Sequence, residues 1–192
     1  MLPEKNIEQL HIQIASVITS GKQTAYRAIN SAMVLTYWEI GRLIVEEEQE
    51  GKERADYGDY LIISLAKRLT KEFGSGYSQA NLRNFRQFFS LFPIRYALRS
   101  ELTWTHYRLL MRVENINARQ FYEEECVKSN WSTRALERQI HVFYYERILA
   151  SRDRKAIEKE AEEKTTPLSI SPRDFIKDPY VLELYPQMFC PH

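Results

Sequence analysis

From residue 4 to residue 150 the apolar side chains recur at intervals of three and four, a spacing that puts them on one face of a helix. Ile7, Leu10, Ile14, Val17 and Ile18 form a first stripe, ending at Gly21. Tyr26, Ile29, Met33, Tyr37, Ile40 and Ile44 form a second, over a long helix at about 23–49. Gly41 lies inside that second stripe, which predicts that another backbone comes close there. A third helix, about 58–73, carries Leu61, Ile62, Leu65, Ala66, Leu69 and Phe73 on one arc and Ser64, Lys67, Arg68 and Lys71 on the opposite one. Thr103 or Thr105 caps a helix with Tyr107, Leu110, Met111 and Val113. Asn117 is expected to cap a helix over about 118–128, and Ser132 one over about 133–150 whose apolar side is Leu136, Ile140, Phe143, Tyr144, Ile148 and Leu149. Glycine is scarce and Leu, Ile, Glu, Arg, Lys and Ala are common, so the expected class is all-α.

Other features exclude function classes. No apolar run approaches the roughly 18–20 residues of a membrane span. The N-terminus MLPEKNIEQL carries charge where a signal peptide needs an apolar core, so a cytoplasmic protein is expected. Cys126 and Cys190 fit no metal or redox spacing and read as unpaired thiols. His106 has no nucleophile or carboxylate beside it in sequence and reads as a packing residue. There is no Gly-rich phosphate loop and no metal-ligand cluster, so no enzyme activity and no cofactor are expected of this chain. From Thr165 the sequence TTPLSISPRDFIKDPYVLELYP reads as a proline-containing linker, which sets a helical domain at 1–164 and a linker at 165–192.

Charge is distributed unevenly. Residues 1–63 carry 6 Lys and Arg against 10 Asp and Glu, residues 64–112 carry 9 against 2, and residues 113–192 carry 12 against 14. A middle segment of net +7 in a chain of net +1 points to a surface that faces a polyanion. Within it, Gly74 and Gly76 break the helix 58–73, and Ser78 is placed to cap the next. On a helical wheel from Gln79, the residues Leu82, Phe85, Phe89 and Phe92 fall on one side, and Gln79, Arg83, Arg86, Gln87 and Ser90 on the other. Asn81 and Asn84 flank the polar side, and Pro93 ends the helix.

Helix, glycine turn and a capped helix with basic and amide side chains is the grammar of a helix-turn-helix, here over about 58–91 and winged-helix-like. Arg pairs two donors with guanine O6 and N7, and Gln or Asn pairs with adenine N6 and N7. The expected DNA-binding set is therefore Ser78, Gln79, Asn81, Arg83, Asn84, Arg86 and Gln87, with Lys67, Arg68 and Lys71 gripping phosphates. Arg95, Arg99, Arg108 and Arg112 extend the basic stretch. For these contacts Arg83 and Arg86 must face outward and must not be neutralised by internal carboxylates.

The blocks YGDYLIISLAKRLTKEFGSGYSQANLRNFRQFF, LTWTHYRLLMRVEN and FYEEECVKSNWSTRALERQI resemble the N-terminal domain of the YhcG-type proteins, over about residues 10–180. The resemblance implies a DNA-associating, helix-turn-helix-like module joined, in full-length relatives, to a C-terminal PDDEXK nuclease domain. The acidic residue and acid-x-Lys pair of that chemistry are not evident here. Glu162-x-Lys164 has the spacing, but it lies in an Ala/Glu/Lys-rich helical stretch. The expected function is a non-catalytic DNA-binding module of a nuclease family. The alternative is a protein-interaction or dimerisation module, a homodimer formed through the helix 23–49 or 133–150, with no nucleic-acid contact.

Overall fold

A computed structural model describes residues 4–50 and 57–165, with the side chains of residues 4–6 and 57 left aside. The linker expected at 165–192 falls, after Thr165, outside the described residues, and Cys190 with it. Eight α-helices make up the described part: α1 Glu4–Glu50, α2 Tyr57–Phe73, α3 Gln79–Leu91, α4 Trp104–Leu110, α5 Ile116–Lys128, α6 Thr133–His141, α7 Tyr144–Ala150 and α8 Arg154–Thr165. Two 3-10 turns, Ser75–Tyr77 and Arg95–Ala97, flank α3. The all-α class holds, and among the described residues there is no strand, so the expected winged form has no β-wing here.

The first two apolar stripes belong to one helix. α1 runs through Gly21 for 47 residues, a length of about 70 Å. A lone glycine weakens a helix by about 1 kcal/mol, too little by itself to end one whose following turns are anchored in the core. Only the second stripe enters the core. Met33, Val34, Tyr37, Trp38 and Ile44 are buried, and Leu82, Phe85 and Phe88 of α3 pack with them. Tyr37 stacks on Phe85 with ring centres 4.3 Å apart, and Trp104 of α4 leans on both rings. The Trp38 indole N–H donates to the Phe92 carbonyl at 2.7 Å, fixing the end of α3 on α1. The close approach predicted at Gly41 is present: a Cβ there would lie 2.1 Å from the Phe85 carbonyl oxygen.

α4 carries the same core toward α5, α6 and α7, where Ala118, Tyr122, Cys126, Leu136, Tyr144 and Ile148 continue it. Thr103 caps α4, and His106 takes the third place of a capping box. α5 begins two residues earlier than expected, because the Asn115 side chain, not that of Asn117, accepts from the backbone amides of Asn117 and Ala118. Ser132 caps α6 as expected, accepting from the Ala135 amide. The helix expected over 133–150 is broken: Phe143 adopts φ 53° and ψ 47°, a left-handed conformation, so α6 and α7 are separate. The charged stretch beyond Ala150 is helical as α8, held by Arg147 to Glu160 at 2.5 Å.

Candidate nucleic-acid interface

Positioning of the basic segment begins at Gly74, whose φ of 95° turns the chain sharply out of α2. Ser78 then caps α3, its hydroxyl accepting from the Asn81 amide at 3.4 Å. The Asn81 side chain donates to the Gly76 carbonyl at 2.9 Å. The expected DNA-binding set includes both residues. In the fold both are half-buried, and their polar groups tie the turn to the helix.

α3 is more deeply embedded than its sequence wheel implies. Phe88 is fully buried alongside Leu82 and Phe85, whereas Phe89 is only partly buried and packs its ring edge against Trp38. The exposed positions are Gln79, Ala80, Arg83, Gln87 and Ser90, an arc of about 100°. Asn84 sits half-buried on its flank.

The two arginines have carboxylate partners. Arg86 donates to Glu48 at 2.8 Å, with side-chain exposures of 36% and 21%. Glu48 itself rests over Gly58, so this pair joins the end of α1, the start of α2 and the middle of α3. Arg83 reaches Asp59 of α2 at 3.4 Å, with exposures of 45% and 76%. The expected bare arginine face is therefore corrected. Arg86 is neutralised by an internal carboxylate and acts as a clamp between helices. Arg83 is held by a long, solvated pair, of a kind that contributes at most about 1 kcal/mol.

Within α2 and α3, the cations without an ion pair among the described residues are those of α2. Lys67, Arg68 and Lys71 are all exposed. Asp59, Ile63, Lys67 and Lys71 form one ridge of α2 at four-residue spacing, so the row that starts at the Arg83 partner ends in two lysines. Elsewhere in the basic stretch, Arg99 lies 4.0 Å from Glu123. A cleft of about 540 Å³ lies among α5, α7 and α8, but Glu125, Glu158 and Glu162 line it with a single Lys128, the wrong sign for a polyanion.

No group of three or more His, Cys, Asp or Glu gathers to hold a metal among the described residues. Glu162 and Lys164 sit in α8, and Lys164 pairs with Glu160. Buried His106 serves the fold: its Nδ1 accepts from the Thr103 amide at 3.2 Å and its Nε2 lies 3.0 Å from the Trp131 carbonyl. No described helix is long and apolar enough to cross a membrane.

Comparison with known proteins agrees with the blocks that suggest a family. Residues 13–147 match the DUF1016 N-terminal domain. The chain is 36% identical over 208 aligned residues to the Escherichia coli (strain K12) protein named "Putative nuclease YhcG", an alignment that covers 92% of this chain and 55% of that protein. It thus spans about half the length of this relative. No solved structure matches it. The chain belongs to the DUF1016 N-terminal domain family.

Proposed function

We propose that this chain is the DNA-associating module of a YhcG-type nuclease and is not catalytic by itself. The observation that carries this reading is the exposed cluster Lys67, Arg68 and Lys71, with no ion pair among the described residues, inside a segment of net +7. Kinship with a protein named as a nuclease supports a role in which a separate domain cuts and this one holds the substrate. α2 supplies phosphate contacts through its three cations. Arg83 exchanges its solvated Asp59 partner for phosphate, and Gln79 and Gln87 stand beside it on the exposed arc.

A gel-shift comparison of duplex, branched and single-stranded DNA tests the reading. Binding of at least one form is expected, weakened by Lys67→Ala with Arg68→Ala and Lys71→Ala. No binding of any form, or a triple variant that binds as tightly as the parent, contradicts it. Self-association is the second reading, and one observation favours it: the first half of α1 leaves an apolar stripe uncovered.

A further inference from the structure

Every side chain of α1 from Ile7 to Ala25 is exposed, so this part of the helix projects from the folded body as an arm. Its apolar stripe is open to water along its whole length. Ile7 is 58% exposed, Leu10 55%, Ile14 50%, Val17 73% and Ile18 53%. At 100° per residue these five centre roughly 170° around α1 from Met33, Val34, Tyr37, Trp38, Gly41 and Ile44, which face the core. The arm stripe therefore points away from the body of its own chain. It is also rich in β-branched Ile, Val and Thr, which are mediocre helix formers. A helix of this kind owes most of its stability to packing of its apolar face.

We propose that the stripe pairs antiparallel with the same stripe of a second copy of this chain. The inference rests on the self-association reading and gives it an interface. The spacing Ile7, Leu10, Ile14, Val17, Gly21, Thr24 alternates three and four, the seam of a two-stranded coiled coil. Laid antiparallel about a midpoint between Ala15 and Ser16, Ile14 meets the partner's Val17, Leu10 meets the partner's Gly21, and Ile7 meets the partner's Thr24.

The small Gly21 has open space around it and receives the larger Leu10. The positions beside the seam, His11, Gln13, Ile18, Ser20 and Ala25, carry no carboxylate or ammonium, so nothing there repels a second copy. Glu8 comes opposite the end that carries Lys22, whereas a parallel pair sets Glu8 against Glu8. Ile12 stands outside the seam. At 50–73% exposure the five stripe residues leave roughly 100 Å² each, so the pair covers on the order of 1,000 Å² in total, the lower edge of a specific interface.

Light scattering on the full chain at several concentrations tests the pairing. The parent is expected to approach twice the 22.8 kDa of one chain as concentration rises. Ile14→Glu with Val17→Glu is expected to stay at one chain mass, with the melting temperature of the dilute, monomeric parent, since both side chains point away from the core. A parent that stays monomeric at every concentration overturns self-association altogether. A dimer that survives the double variant overturns only the arm. For the register, oxidation in a Cys190→Ser background is expected to cross-link a chain carrying both Leu10→Cys and Gly21→Cys, but neither single variant. Cross-linking of Leu10→Cys alone overturns the antiparallel arrangement.

Discussion

The side chains that separate fold from function here are a histidine and two arginines. His106 is satisfied as a neutral ring: Nδ1 accepts from the Thr103 amide and Nε2–H donates to the Trp131 carbonyl. Burial pushes its pKa down to about 4 from an ordinary value of 6.5. The unfolded chain therefore binds the proton more readily between those values. The resulting stability is complete above pH 6.5 and is lost as pH falls toward 4, on the order of 3 kcal/mol at most. Urea denaturation across that range checks it, and His106→Gln is expected to remove that contribution to the slope. Arg86→Ala is expected to lower stability by about 1 kcal/mol and leave DNA affinity nearly unchanged, because the side chain clamps Glu48. Arg83→Ala is expected to do the reverse. A sequence wheel places both arginines on the polar side. It cannot reveal that Glu48 and Asp59, distant in sequence, reach across to them.

Helix starts are readable wherever periodicity and a cap coincide, as for α3, α4 and α6. Boundaries are obscured where a single local signal competes with its surroundings. Gly21 has the look of a helix end, but the core-anchored turns that follow carry the helix through. The break at Phe143 has no glycine to mark it, although its backbone is left-handed, with φ 53° and ψ 47°. Phe143→Gly is expected to raise stability by up to about 1 kcal/mol, read from the melting temperature, because the side chain is 65% exposed and glycine adopts that backbone freely. Gly41 gives the opposite sign. Gly41→Ala puts a methyl 2.1 Å from the Phe85 carbonyl oxygen, so α1 and α3 must separate, and a loss of about 3 kcal/mol is expected by the same measurement.

Across the whole molecule, charge and apolar surface are segregated. Lys67, Arg68 and Lys71 stand out on α2, a carboxylate-lined cleft opens beside α5 and α8, and the arm of α1 carries the uncovered apolar stripe. Family membership is legible from long contiguous blocks, because a core of interlocked aromatics constrains many residues together. The candidate binding surface is legible only as a charge excess, since the choice among the nine cations of residues 64–112 depends on which ones the fold neutralises. The most direct measurement is the salt dependence of DNA affinity by fluorescence anisotropy, for the parent chain and for Lys67→Ala with Arg68→Ala and Lys71→Ala. With three phosphate contacts on α2, the parent is expected to lose at least roughly 40-fold in affinity between about 50 and 200 mM salt, and the triple variant to show a slope shallower by about three. Equal slopes for the two proteins, or an affinity indifferent to salt, would contradict a DNA-holding role for this surface.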